Sequence, residues 1–341
     1  MVASNPASQR AAAWFVASLL MGLGFVATVN FLVDPYDLYP PDLLQPITFA
    51  SHREAAVMLP QVSPPPRILI LGTSKVGTLD PAYVQAQLGL PAFNANLNAA
   101  KTETLLAYFR YALEVLPQPP ELMIVGLDVR AFSNAVGIDE QLINTRQLAR
   151  EVPEIIGMRE RAPVWLRLLN QYQLEGSIES LRMAVTSSYP EPLFHFTSDG
   201  RRVWRDEGAV AGDPELLEQS VAELASELAA QYRDFDQLSP LRMEAFEQLV
   251  ELADSVGTEL VVFITPTNSR LRARLVEQPN FVARGEQLTA FVRDVARDRF
   301  TFVDLSVPES SWPTDDWLDA LHHGVPTGRA IIDRLLQARA R

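Results

Sequence analysis

The chain has 341 residues, no cysteine, and 29 Lys+Arg against 42 Asp+Glu, for a formal charge of −13. Disulfide frameworks, thiolate nucleophiles and cysteine-ligated metal centres are thereby excluded, and the acidic balance argues against nucleic acid as a partner. With 48% apolar and 21% charged residues, the composition suits one large α/β domain with insertions, or two ordinary domains.

Residues 11–33, AAAWFVASLLMGLGFVATVNFLV, carry no charge. At about 1.5 Å of rise per residue, such a run crosses the hydrocarbon core as a helix. Arg10 precedes it, Asp34, Asp37 and Asp42 follow, and no basic residue appears before His52 and Arg53. This asymmetry puts residues 1–10 in the cytoplasm and the bulk of the chain outside, as a single-pass anchor. A cleaved signal peptide is the rival reading, but its apolar region is usually only about 7–15 residues.

From 34 to 66 the chain is rich in proline (Pro35, Pro40, Pro41, Pro46, Pro64, Pro65, Pro66) and shows no sustained period, which reads as a stalk. The globular domain is then 67–341. Arg67 to Leu71 (RILIL), closed by Gly72, is a strand buried on both faces. Leu105, Phe109, Leu113 and Leu116 fall on one helical face, ended by the prolines from Pro117, and Leu122 to Leu127 (LMIVGL) is a second buried strand. Strand, helix, strand makes a βαβ unit, so the core is an α/β parallel sheet covered by helices.

The pattern returns late. Ala245, Leu249, Leu252 and Val256 mark a helix ended by Gly257, and Glu259 to Thr265 (ELVVFIT) is a third strand. Phe281 to Val295 reads as helix, Phe300 to Leu305 as a fourth strand, and Val325 to Ala340 as a closing helix. Between these halves, about 131–240, lies an insertion read as a mainly helical cap over the sheet. In it Asp213-Pro214 opens an amphipathic helix with Leu217, Val221, Leu224 and Leu228 on one stripe, and a loop or hairpin surrounds Phe194 to Trp204.

Open parallel sheets bind ligands beyond the carboxyl ends of their strands. There, Gly72-Thr73-Ser74-Lys75 places Ser74 at a strand-to-helix turn, where a hydroxyl faces a cleft and an amide faces an oxyanion; serine serves equally as a turn former at such a place. Val76 stands where a G-x-S-x-G elbow has its second glycine, and no G-x-G-x-x-G occurs, so no cofactor is expected. Histidine occurs only at 52, 195, 322 and 323. In Asp319-Ala320-Leu321-His322 the aspartate is spaced to accept the imidazole Nδ1–H and leave Nε2 for a serine hydroxyl; solvated polar residues at a helix entry are the alternative. Adjacent His322 and His323 point apart on most backbones and have no third ligand spaced to join them, so no metal is expected.

In this order the pieces resemble the SGNH (GDSL-like) hydrolase superfamily, over about 67–128 and again 259–336. The resemblance implies a three-layer, flavodoxin-like fold with Ser74 as nucleophile, His322 as base and Asp319 as the acid that orients it. It also implies an oxyanion hole completed by a glycine and an asparagine. Here Ala99 stands about where the glycine belongs and Asp128 where the asparagine is expected, which leaves Asn94, Asn96 or Asn98 to supply an amide. The span followed by Asp34-Pro35-Tyr36-Asp37-Leu38-Tyr39, then Leu71 to Val76, then Gly126 to Phe132, is similar to anchored bacterial proteins of this type, including those of alginate O-acetylation. That resemblance implies a single-pass anchor in a bacterial inner membrane with a periplasmic domain, and acyl transfer to, or removal from, a cell-surface polysaccharide or another acylated substrate, with a membrane acyl-donor protein as a further partner. Tyr189, Phe194, Phe196 and Trp204 are candidates for stacking on sugar rings, burial in the cap being the ordinary use of such residues. A non-catalytic accessory that holds polysaccharide or an assembly partner in the same cleft is the competing expectation.

Overall fold

The computed structural model describes residues 6–36, 39, 43–44, 51–157, 168–169, 171–188, 194–205, 213–306 and 316–341. Of the residues read above, Asp37, Leu38, Pro40, Pro41, Asp42, Pro46 and Tyr189 lie outside these. The chain forms two compact units, one made of 1–50 with 157–191 and the other of 51–156 with 192–341.

In the first unit a helix runs over Pro6–Val33, and its Gln9–Val33 portion, with a mean hydropathy of 2.1, is long and apolar enough to cross a membrane. Trp14, Phe15, Met21 and Phe25 are all exposed, so no protein core covers its middle. Its end is held: Asn30 Nδ2 donates to the Leu168 carbonyl at 2.7 Å. A second helix, Gln171–Thr186, packs in the same unit, where Gly176 leaves room for the Tyr36 ring.

The second unit is built on seven described strands: β1 (Ile68–Thr73), β2 (Ala92–Leu97), β3 (Leu122–Leu127), β4 (Phe194–Phe196), β5 (Arg202–Trp204), β6 (Glu259–Ile264) and β7 (Thr301–Asp304). Five form one sheet in the order β2-β1-β3-β6-β7 with every pairing parallel, while β4 and β5 make a separate antiparallel hairpin. Side chains alternate between two cores, as the strand period of two requires. Leu69, Leu71, Met123, Val125, Val262 and Ile264 join helices such as Thr102–Val115, Pro214–Asp234 and Pro240–Val256 on one face. Ile68, Ile70, Ile124, Val261 and Phe263 meet Pro81–Leu88 and Val325–Arg339 on the other. Burial on both faces is why these strands read as unbroken apolar runs.

Two boundaries differ from the sequence reading. The stretch expected to be stalk contains a helix, Ser51–Met58, with His52, Ala55, Ala56 and Leu59 buried in the sheet unit. Tyr108 and Tyr111 donate their hydroxyls to the Ala55 and Ala56 carbonyls at 2.8 and 2.7 Å, so the packed domain begins near 51 rather than 67. The expected insertion also divides. Residues 157–191 belong to the unit of the N-terminal helix, whereas Leu217, Val221, Leu228 and Tyr232 bury the Asp213-capped helix in the core of the sheet unit.

Candidate active site

Ser74 follows directly on β1 and opens a 3-10 turn, Ser74–Val76, in which Thr73 Oγ1 accepts the Lys75 amide. As the first residue of the turn, Ser74 has an amide with no partner inside it. Gly72 lies opposite Gly126 in register, and a Cβ on Gly72 would stand 2.7 Å from the Gly126 carbonyl and 2.8 Å from Val76 Cγ1. The two glycines thus form a notch that Val76 fills, which seats the turn and explains a valine where an elbow would have glycine.

Ser74 Oγ lies 2.9 Å from His322 Nε2, and His322 Nδ1 lies 2.7 Å from Asp319 Oδ2. The other oxygen, Asp319 Oδ1, accepts the amides of Leu321 and His322 at 2.6 and 2.8 Å. Burial pulls the Asp319 carboxyl upward, but the His322 ring and these two amides outweigh it and hold the group below its usual range. An ionised Asp319 keeps the proton on Nδ1 and leaves Nε2 as the acceptor of the serine proton, the arrangement that activates a hydroxyl for attack. His323 faces away: its Nδ1 meets Thr78 Oγ1 at 2.9 Å, and burial lowers its pKa to about 4.

Compared with known proteins, the chain matches no family model and no curated protein sequence. Function is therefore argued from the side chains present.

The residues expected to complete an oxyanion hole are placed unequally. Asn94 Nδ2 donates to the Val76 and Leu79 carbonyls at 2.7 and 2.8 Å, and Asn96 Nδ2 to the Gly200 carbonyl at 2.8 Å, so both amides are spent on structure. Asn98 is different. Its Oδ1 accepts from Arg202 NH2 at 2.6 Å, and its Nδ2 has no partner among the described residues. Ala99 is exposed and has φ +51°, the left-handed region that favours glycine, so its dihedrals are not ordinary for alanine. Asp128 is no donor. Burial raises its pKa, but Arg130 and Lys75 overcome this and keep it well below the usual range; Lys75 Nζ stands 2.9 Å from Oδ2, and Oδ1 accepts the Arg130 amide at 2.8 Å.

Of three further groups around the site, the sequence reading names only Trp204, as a candidate for stacking on sugar rings; the other two escape it. Arg202, only 1% exposed, donates Nε to Asn96 Oδ1 at 3.0 Å and lies 4.0 Å from the Phe194 ring centroid. Burial lowers its pKa to about 9, against the opposing pull of Asp319. Trp204, on the same strand, packs its ring 4.8 Å from that of His322, with a buried Nε1–H that has no partner among the described residues. The hairpin thus grips both ends of the site. The third group is a second serine–histidine–aspartate run: Ser51 Oγ accepts the Asn98 amide at 2.7 Å, His52 Nδ1 meets Ser51 Oγ at 3.3 Å, and His52 Nε2 meets Asp139 Oδ2 at 2.9 Å. Ser51 and His52 are fully buried, so this run holds the Asn98–Ala99 segment rather than meeting substrate. Beside the site, a cavity of about 340 Å³ is lined by Lys75, Asp128, Arg130, Tyr232 and Leu321 among others.

Proposed function

We propose that the protein is a membrane-anchored serine O-acyltransferase or esterase acting on acyl groups, acetyl above all, of a cell-surface polysaccharide. The observation that carries this reading is the continuous Ser74–His322–Asp319 hydrogen-bond chain. Ser74 Oγ attacks the ester carbonyl carbon as its proton passes to His322 Nε2, and the imidazolium formed is held by Asp319. His322 returns the proton to the departing alcohol, leaving an acyl-serine. A sugar hydroxyl or water then gives its proton to His322 as it attacks the acyl carbon, and His322 passes that proton to the departing Ser74 Oγ, which restores the free serine. The Ser74 and Ala99 amides and Asn98 Nδ2 are the donors assigned to the developing oxyanion.

Set apart from the hairpin, the strand order corresponds to 2-1-3-4-5, the flavodoxin-like order, which supports an SGNH-type fold. The N-terminal helix, assigned to a bacterial inner membrane with the sheet unit in the periplasm, suits a polymeric substrate and a membrane acyl-donor protein. One observation favours the second reading, a non-catalytic accessory: a carboxylate, Asp128, occupies the position of the expected amide.

Exposure of the detergent-solubilised chain to p-nitrophenyl acetate tests the proposal by peptide mass spectrometry. The expected result is an acetyl adduct on Ser74 that is absent in Ser74→Ala and His322→Ala. A wild-type chain with no adduct, and with polysaccharide binding unchanged in both variants, assigns the accessory role instead.

A further inference from the structure

The cavity of about 340 Å³ shares Arg130 and Tyr232 with a smaller one of about 140 Å³, whose wall also includes Lys101, Ser133, Gln231 and Asp234. This smaller cavity abuts the candidate site through the chain itself, since Lys101 lies two residues beyond Ala99. Its polar groups are mostly donors with unused capacity. Lys101 is half-buried, and its ammonium has no ion pair or hydrogen bond among the described residues. Arg130 spends Nε and NH2 on Asp128, which leaves NH1. Tyr232 is 4% exposed as a residue, and its hydroxyl, which is not among the fully buried unpaired atoms, has no protein partner among the described residues.

The charge balance points the same way. Asp128 is shared by Lys75 and Arg130, and Asp139, the other carboxylate whose field reaches Lys101, is engaged by His52. Among the described residues lining the smaller cavity, Asp234 is the one carboxylate beside the two cations, Lys101 and Arg130, and the field of Glu227 also reaches Arg130. In a chain with a net charge of −13, a concavity with an excess of cations and a neutral phenol is unusual. Burial lowers the pKa of Lys101, with Arg242 adding to the effect, so an incoming anion relieves a cost already present in the free protein.

We infer that Lys101, Arg130 and Tyr232 form a subsite for an oxyanion group, a carboxylate or a phosphate ester, carried by the molecule that enters the site. Lys101 supplies a point charge, Arg130 its remaining guanidinium N–H groups and Tyr232 a neutral O–H donor. As a statement about the acyl acceptor, this rests on the serine reading. As a binding site it does not, and the experiment reads binding alone.

Isothermal titration of the detergent-solubilised full chain uses three probes: trigalacturonic acid, its methyl ester and inorganic phosphate. Binding of the acid and not of phosphate assigns a carboxylate; the reverse assigns a phosphate ester; the neutral ester binds more weakly than the acid. Lys101→Met is expected to weaken binding of the anion about tenfold or more, the equivalent of one charge-assisted hydrogen bond. Tyr232→Phe, which removes only the hydroxyl, weakens it about threefold or more at an unchanged unfolding temperature. Absence of binding by both anions at millimolar concentration, or equal affinity in wild type and both variants, overturns the subsite. A chain that binds the anion but forms no acyl-serine keeps the subsite and loses the serine reading.

Discussion

Arg202 NH2 lies 2.6 Å from Asn98 Oδ1, across 104 residues of sequence. A guanidinium only donates, so this contact decides which way the Asn98 amide is turned and leaves Nδ2 as the free donor. The hairpin that carries Arg202 therefore orients the one asparagine side chain of the segment whose amide is not consumed by a carbonyl.

Arg202→Lys keeps a charge, but a single ammonium cannot reproduce the fork that meets Asn96 and Asn98 together. Steady-state turnover of p-nitrophenyl acetate is expected to show kcat reduced about tenfold or more with KM little changed. Asn98→Ala costs about 10²-fold, the usual loss for one oxyanion donor. Equal kcat in Arg202→Lys and wild type would sink the orienting role.

Much of this was readable beforehand for one physical reason. β1, β3 and β6 are apolar on consecutive positions because helices cover both faces, and their runs stand out from the chain, whereas the half-buried edge strand β7 is marked only by Phe302 and Val303. β2 escaped because Asn94 and Asn96 alternate with Phe93, Ala95 and Leu97 and resemble turn formers; their polarity is needed to bond Val76, Leu79 and the hairpin. Ser74 and His322 each sit beside a recognisable element boundary, and histidine is scarce. Arg202, Ser51 and His52 had no such flag, since their roles exist only through contacts with distant segments. The start of the domain was misplaced because SHREAAVM opens with polar residues and hides the short apolar face of Ala55, Ala56 and Leu59.

Asp128→Asn would introduce the amide that the family resemblance implies, yet it strands Lys75. Both side chains are nearly inaccessible, and removal of one partner from a buried pair typically costs about 3–5 kcal/mol. The Arg130 side chain is 26% exposed and keeps part of its hydration, so the loss is expected toward the lower end, about 3 kcal/mol. The double variant Lys75→Met with Asp128→Asn recovers most of it. Urea unfolding of the three proteins checks this, and equal stability of single and double variants would show that Lys75 does not depend on Asp128.

Ala99 stores backbone strain next to the site. Its φ of +51° costs an alanine about 1–2 kcal/mol, whereas glycine adopts it freely. Ala99→Gly is therefore expected to stabilise the protein by about 1 kcal/mol, and Ala99→Val to destabilise it, with unfolding temperatures moving in opposite directions. A lower unfolding temperature for Ala99→Gly would contradict the strain.

His323 gives the fold a dependence on acid. Burial, with the nearby His322 and Lys75 charges adding and the Gly324 carbonyl and Asp316 opposing, lowers its pKa from 6.5 to about 4. The unfolded chain then binds the proton more readily than the folded one, so the contribution to stability is complete above pH 6.5 and is lost as pH falls from there toward 4. At pH 5 the loss amounts to about 2 kcal/mol. His323→Gln offers Thr78 a hydrogen-bonding partner and removes the titration, so its unfolding temperature should vary less than that of wild type between pH 7 and pH 5. Parallel curves for the two proteins would place the acid sensitivity elsewhere, among carboxylates such as Asp128 and Asp319 whose depressed pKa values also favour the folded state at neutral pH.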